Sequence, residues 1–344
     1  MESQQAQRKN EHLSLSEKDY VLNHRRDFFD DVQLVPNALP EMAVADVDLG
    51  VKIADIDLKW PFYIEAMTGG SKQTGRVNQQ LGKIANDKSL AIATGSMSII
   101  FKEPAAANSF LTLREANPDG VVFANLGAHA TPKQAQQAVD LIDADALEIH
   151  INAAQELVMP EGAREFHWLD NIARIVDSLT VPVIVKEVGF GMSQDTIKQL
   201  LNAGVSWINA SGRGGTNFAR IENRRNHKLD LSDLENWGLT TPQALIEAQK
   251  TAAQVIASGG ITTPLDVVKA GVLGAKAVGV AGFFLHQLIS DGPERLAAVI
   301  DQWQAELPRL LTLLGCQHFQ DLRQVDYVLH QQLWEYAQQR HLKL

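Results

Sequence analysis

The residues best suited to chemistry gather where short apolar runs end. Val181-Pro182-Val183-Ile184-Val185 leads into Lys186, and Ala146-Leu147-Glu148-Ile149 leads into His150-Ile151-Asn152, with Gln155-Glu156 close behind. Further runs end in Ala66-Met67-Thr68-Gly69-Gly70, Gly95-Ser96, Asn125, Ser211-Gly212, Ser258-Gly259-Gly260 and Ala281-Gly282. A lysine at the end of a buried run needs an anionic partner. Three uses fit Lys186: a Schiff base, a cation beside a flavin whose reduced ring bears negative charge, or a structural ion pair. His150, Asn152, Gln155 and Glu156 combine one imidazole, two amides and one carboxylate. That set suits an alcohol, a phosphate or a hydrated Mg²⁺, which takes one or two carboxylates and completes its shell with water and phosphate oxygens. Glu156 also reads as an ordinary acid at a helix start. The pairs Gly259-Gly260 and Ala281-Gly282 either offer backbone N–H groups to a phosphate or simply turn the chain. Far upstream, Arg8-Lys9-Asn10-Glu11-His12 is a compact charged cluster, readable as a solvated tail or as a phosphate clamp.

The elements that must position these groups follow from the runs themselves. Eight runs, at residues 62–66, 90–95, 121–125, 146–151, 181–188, 205–211, 254–259 and 277–282, recur at about 31 residues, the length of a βα unit. Between them, residues 134–142, 169–179, 194–202 and 264–270 carry apolar side chains at helical spacing, and Pro132, Pro242 and Pro264 stand where a helix would begin. Eight successive units without a smaller second domain predict an α/β fold, a TIM (β/α)8 barrel, over a doubly wound sheet. Residues 1–344 read as one barrel domain. Residues 1–60 form an N-terminal extension, in which residues 55–58 suggest a hairpin plugging the barrel bottom. The tail from Pro293 reads as helical. Residues 213–238 show no helical face and are rich in Gly, Asn and Arg, which predicts a long lid loop.

Composition narrows the functional classes. Forty-one acidic against 31 basic side chains give a net charge of −10, so no global basic field exists to hold nucleic acid or anionic lipid. A polyanionic substrate needs a local basic site. The single cysteine, Cys316, cannot form an internal disulfide, which points to a reducing, cytoplasmic setting. The polar N-terminus lacks an apolar signal core, and the greasiest stretch, residues 277–289, is too short to span a bilayer, so neither export nor membrane insertion is expected.

Taken together, Arg8-Lys9 with Glu11-His12, Ala66-Met67-Thr68-Gly69-Gly70, His150 with Gln155-Glu156 and Pro160-Glu161-Gly162, Ser211-Gly212-Arg213-Gly214-Gly215-Thr216-Asn217 and Ala281-Gly282 resemble the type 2 isopentenyl-diphosphate isomerases, nearly end to end. The resemblance implies an FMN-binding TIM barrel, a homotetramer or homo-octamer. It implies interconversion of isopentenyl and dimethylallyl diphosphates with Mg²⁺ and reduced FMN, NADPH serving as reductant. Carried over residue by residue, it assigns the flavin to Ala66, Met67, Thr68, Ser96, Asn125, Lys186, Ser211 and Thr216, and the flavin phosphate to Gly259, Gly260, Ala281 and Gly282. Gln155 and His150 take catalytic roles. Arg8, Lys9, His12, Asn152 and Gln155 bind substrate, and Glu156 holds Mg²⁺. Three positions depart from the family pattern: Thr262 where Arg is frequent, which removes one cation near the FMN phosphate, Met97-Ser98 where Gln-Arg is frequent, and Phe218 where Trp is frequent. The rival enzyme reading is an FMN-dependent oxidase or dehydrogenase of 2-hydroxy acids. It shares the barrel but gives Gln155-Glu156 and Arg8-Lys9 no role. A catalytically idle flavin-binding protein would likewise have no need of those four residues.

Overall fold

The computed structural model describes residues 3–22 and 28–342. Helix α1 (Gln4–Leu22) and strand β1 (Val32–Leu34) precede a hairpin of β2 (Val51–Ile53) and β3 (Ile56–Leu58). Then comes the repeating series: β4 (Phe62–Ile64), α2 (Lys72–Lys88), β5 (Ile92–Ala93), α3 (Asn108–Ala116), β6 (Val122–Gly127), α4 (Pro132–Leu141), β7 (Ala146–His150), α5 (Ala153–Val158), α6 (Leu169–Ser178) and β8 (Val183–Lys186). It continues through α7 (Gln194–Asn202), β9 (Trp207–Asn209), α8 (Phe218–Arg225), α9 (Thr241–Ala248), β10 (Gln254–Ser258), α10 (Pro264–Val272), β11 (Ala277–Val280) and α11 (Gly282–Asp291). Helix α12 (Pro293–Leu314), β12 (Tyr327–Leu329) and α13 (Gln331–Gln339) complete the described chain.

Strands β4 to β11 pair in sequence order and in parallel, and β11 returns to β4 with Val278 opposite Phe62 and Val280 opposite Ile64. This is the closed eight-stranded barrel that the spacing predicts. Each observed strand lies within or overlaps its apolar run, and most stop short of the run's end. The residues beyond those ends peel away from the sheet and become the loops of the barrel mouth.

Local chemistry explains the helix starts. Thr131, Thr240 and Thr263 accept hydrogen bonds from the backbone N–H groups of Gln134, Gln243 and Asp266, and a proline stands in each first turn, where its missing N–H costs nothing. Packing does the rest. Inside the barrel Tyr63, Ala91, Ala93, Phe123, Ala146, Ile184, Ile256 and Ala277 form one apolar cluster, into which Ile53 and Leu58 of the β2–β3 hairpin insert. The hairpin therefore closes the end of the barrel opposite the mouth. A larger cluster fills the space between strands and outer helices, where each fully buried Leu, Ile or Phe contributes about 1.5–3 kcal/mol.

Two regions differ from the sequence-based expectation or add to it. Residues 213–238 are not a structureless loop, because α8 forms within them and a 3-10 turn follows at Ser232–Asn236. Asn217 caps α8 by accepting the Arg220 N–H, and the buried face is Ala219, Ile221 and Glu222. Two small or medium apolar residues and an acid do not register as an apolar stripe, which is why the face was invisible in the sequence. The N-terminal cluster is the second case. It lies on α1, which packs against α2, α8 and α11 at the mouth. Nearby in sequence, β1 pairs antiparallel with β12, Val32 facing Leu329. Among the described residues no helix is long and apolar enough to cross a membrane.

Candidate active site

A cavity of about 590 Å³ opens at the carboxyl ends of the barrel strands. Every residue the sequence nominates for flavin, metal or ligand lines it, from Arg8, Lys9 and His12 of α1 to Ala281 and Gly282 at the start of α11. The strand ends bring residues distant in sequence to one wall, and α1 forms part of the roof.

One side of the cavity is backbone. Gly259 and Gly260 adopt φ of +92° and +78°, and a Cβ on Gly259 would fall 2.1 Å from the Gly212 carbonyl oxygen, so only glycine fits there. Thr241 Oγ1 donates to the carbonyls of Ser258 and Gly259 at 2.9 and 2.6 Å and fixes the turn. Helix α11 follows Ala281, whose side chain makes no capping hydrogen bond, unlike the Thr caps of α4, α9 and α10. Its first-turn N–H groups thus face the cavity without a side-chain acceptor, the arrangement a phosphate fits. Ser211 sits at φ +30°, a strained backbone conformation of the kind concentrated at ligand sites. Thr262 lines the same side, but its N–H and hydroxyl both donate to Asp266 Oδ2, at 2.9 and 3.2 Å, where they cap α10. These features fit the phosphate of a flavin mononucleotide, and Lys186 and Asn125 line the same cavity.

The floor is a buried polar layer in which Lys186 and Asn125 were legible from the sequence and Tyr63, Glu65, Glu148 and Asn209 were not. Lys186, 5% exposed, places Nζ 3.1 Å from the Glu187 carbonyl and 3.8 Å from Glu65 Oε1. Glu65 accepts from the Ala66 N–H at 2.8 Å, from the Tyr63 hydroxyl at 2.9 Å and from Asn209 Nδ2. Glu148, wholly buried, accepts from Asn125 Nδ2 at 3.0 Å and lies 3.3 Å from the Tyr63 hydroxyl. Burial, and then the neighbouring Glu65, push the Glu148 carboxyl well above the ordinary range, and burial likewise raises the Tyr63 phenol. A signal for this layer did exist. Tyr63 and Glu65, Asn209 and Ser211, and Glu148 and His150 stand two apart on their strands and so share one face.

The opposite side of the cavity is charged. Among the described residues Lys9 Nζ reaches the Ser96 carbonyl, at 3.5 Å, and burial followed by the adjacent Arg8 pushes its ammonium down to about 8. Arg8 Nη1 lies 3.5 Å from Glu161 Oε1. His12 Nε2 is 2.8 Å from Glu222 Oε1, and Gln155 Nε2 donates to the same oxygen at 3.2 Å. Arg225 joins Glu222, Glu11 and Glu161. Burial favours the neutral form of Glu222, but His12 and Arg225 outweigh it and hold the carboxyl below its usual value. Burial pushes the neighbouring His12 down, so a neutral imidazole faces an ionised acid. His150 is driven to about 3 by burial, then by Lys186, Lys9 and His129, and is a neutral imidazole as well.

Glu156 lines the same cavity. Its Oε1 accepts from Asn152 Nδ2 at 3.1 Å and its Oε2 from the Ala163 N–H at 2.7 Å, and Asn152 also donates to Gln155 Oε1 at 3.1 Å. Among the described residues no three His, Cys, Asp or Glu side chains gather to form a complete metal cage. A single fixed carboxylate fits Mg²⁺ that takes its other ligands from water and phosphate.

Comparison with known proteins bears on the family and the fold. A profile of the FMN-dependent dehydrogenase family matches residues 114–328. The isopentenyl-diphosphate delta-isomerase of Limosilactobacillus reuteri is 57% identical over 347 residues, covering all of both chains. That of Latilactobacillus sakei is 46% identical over 345 residues, covering 100% of this chain and 99% of the relative. Among solved structures, a Pediococcus acidilactici lactate oxidase superposes with a TM-score of 0.67 at 16% identity, over 95% of this chain and 93% of that one. A mandelate oxidase gives 0.64 at 14% identity, over 94% and 98%. These two likenesses speak to the fold alone. Its full-length relatives and its flavoenzyme barrel make the chain an enzyme of the isopentenyl-diphosphate delta-isomerase family, of the FMN-dependent type.

Proposed function

We propose that the protein interconverts isopentenyl and dimethylallyl diphosphates by a 1,3-allylic proton shift, using reduced FMN and Mg²⁺. The observation that supports the proposal is that one cavity is lined both by the glycine turn with the α11 start and by the Arg8–Lys9 pair with Glu156, residues suited to two separate phosphate groups. A 2-hydroxy acid needs no second phosphate site. The site residues take the roles set out from the sequence, and NADPH is the reductant.

When bound, reduced FMN supplies an electron-rich ring face beside the alkene, and Mg²⁺ neutralises diphosphate charge. The chain does the rest. Gly259, Gly260, Ala281 and Gly282 hold the flavin phosphate, while Ala66, Met67, Thr68, Ser96, Asn125, Lys186, Ser211 and Thr216 orient the ring. Arg8 and Lys9, with His12 and Asn152 nearby, clamp the diphosphate through charge-assisted hydrogen bonds, and Glu156 holds the metal against it. Gln155 is a poor acid. Held by Glu222, it orients the hydrocarbon end or passes a proton, and the neutral His150 accepts a hydrogen bond from the ligand. Residues 213–238 act as a lid, tied to α1 by Arg225 and Glu11, and exclude water while positive charge develops on carbon. The protein works as one barrel domain in the cytoplasm, as a homotetramer or homo-octamer, which light scattering measures directly. Nucleic acid and membranes are not its partners.

The test supplies isopentenyl diphosphate anaerobically to purified protein with FMN and Mg²⁺, with and without NADPH or dithionite. Dimethylallyl diphosphate that forms only with reductant, yet without stoichiometric consumption of it, is the expected result. Bound flavin with no isomerisation, and oxidation of a 2-hydroxy acid instead, would overturn the reading.

A further inference from the structure

Beneath the cavity, Glu148 touches neither the mouth nor the anion walls, so the proposed reaction leaves it without a task. Its contacts give it one. Glu65 already receives the Ala66 N–H, the Tyr63 hydroxyl, Asn209 and, at 3.8 Å, the Lys186 ammonium, a set of donors that stabilises an ionised carboxylate. The two oxygens of Glu148 meet donors on either side: Oε1 accepts from the Tyr63 hydroxyl at 3.3 Å, and Oε2 accepts from Asn125 Nδ2 at 3.0 Å. Burial, and then the neighbouring Glu65, raise the Glu148 carboxyl well above its ordinary range, and with either charge Oε2 remains the acceptor that Asn125 meets.

This fixes the Asn125 amide. Its Nδ2 must turn to Glu148, so its Oδ1 turns to His150 Nδ1, 2.9 Å away. An acceptor there requires a proton on Nδ1, and in a neutral ring Nε2 is then bare. We propose that Glu148 is a positioning residue, acting through Asn125 to hold His150 as the Nδ1–H tautomer so that Nε2 meets the cavity as a hydrogen-bond acceptor. The chain Glu148–Asn125–His150 links strands β7 and β6 across the register pairs Asn125 with Glu148 and Gly127 with His150. Its geometry comes from the sheet itself and is present before any ligand arrives. The inference stands on the placement of these side chains and not on the isomerase reading, so either fails without the other.

The experiment is two-bond ¹H–¹⁵N correlation on the full chain labelled at histidine nitrogen, with and without FMN, the His150 signal being identified by its loss in His150→Gln. Wild type is expected to show a protonated Nδ1 and a bare Nε2. Glu148→Gln keeps the side-chain length and an acceptor for Asn125, and must keep that pattern. Glu148→Asp keeps the acid but withdraws it by one methylene, and is expected to reduce the Nδ1–H preference by roughly five- to tenfold, the worth of one hydrogen bond. A bare Nδ1 in wild type overturns the inference even if no variant folds. So does the reverse order, with Asp holding the tautomer and Gln losing it, because acidity and not reach would then be in control.

Discussion

Replacing Lys9 by Met probes what the cavity costs the empty protein. Burial and the adjacent Arg8 bring the ammonium from its ordinary 10.5 down to about 8. A fall of that size corresponds to about 3 kcal/mol of folding free energy. Because Lys9 keeps part of its surface in contact with solvent, screening reduces this to about 1–2 kcal/mol. The sign follows from linkage. Below pH 8 both folded and unfolded chains carry the proton and the full cost is present, while between pH 8 and 10.5 the folded chain releases its proton first and the cost fades. Lys9→Met is therefore expected to be more stable than wild type in urea unfolding at pH 7, by about 1–2 kcal/mol, with the gap closing as the pH approaches 10.5. The same change should weaken binding of inorganic pyrophosphate with Mg²⁺ by about 10- to 100-fold in calorimetric titration, the loss of one charged hydrogen bond. Wild-type affinity should itself decline as the pH rises through about 8. A Met variant that is less stable at pH 7, or that binds pyrophosphate as well as wild type, would refute the argument that Lys9 is held uncomfortably for the sake of an anion.

Three further outcomes are expected. Glu156→Gln should lose most of its Mg²⁺ dependence of rate while retaining FMN, read from a metal titration beside the flavin absorbance; an unchanged metal response removes Glu156 from the metal site. Gly259→Ala places a methyl 2.1 Å from the Gly212 carbonyl at a φ of +92°, and the purified protein should carry at least tenfold less flavin, since an alanine at positive φ adds strain to the clash. Arg225→Met leaves Glu222 buried with only the neutral His12 and Gln155 beside it among the described residues, and should weaken the α8 region by about 3 kcal/mol. Limited proteolysis within residues 213–238 should accelerate well before the global melting transition moves.

The barrel was legible because its signal repeats. Eight apolar runs at an average interval of about 31 residues leave little room for another topology, and the ends of those runs name the mouth residues directly. The cluster at Arg8–His12 was legible only through resemblance, because nothing in a polar helix announces which distant loop it will cover. Glu65, Tyr63, Glu148 and Asn209 were harder still. Each lies inside or beside an apolar run, and whether a polar residue there is stranded or satisfied depends on partners 85 to 146 residues away, which pairing alone decides. Helix α8 escaped for the complementary reason. Its buried face includes Glu222, whose burial makes sense only once His12, Gln155 and Arg225 surround it.

The seating of α1 has a consequence for the order in which the molecule assembles. Its neighbours, α2, α8 and α11, span residues 72 to 291. Helix α1 therefore has no complete seat until nearly the whole barrel exists, and its contacts are among the most non-local of the described residues. Refolding is therefore expected to complete the glycine turn before the Arg8–Lys9 wall, and binding of FMN that recovers ahead of binding of pyrophosphate would mark the docking of a single helix.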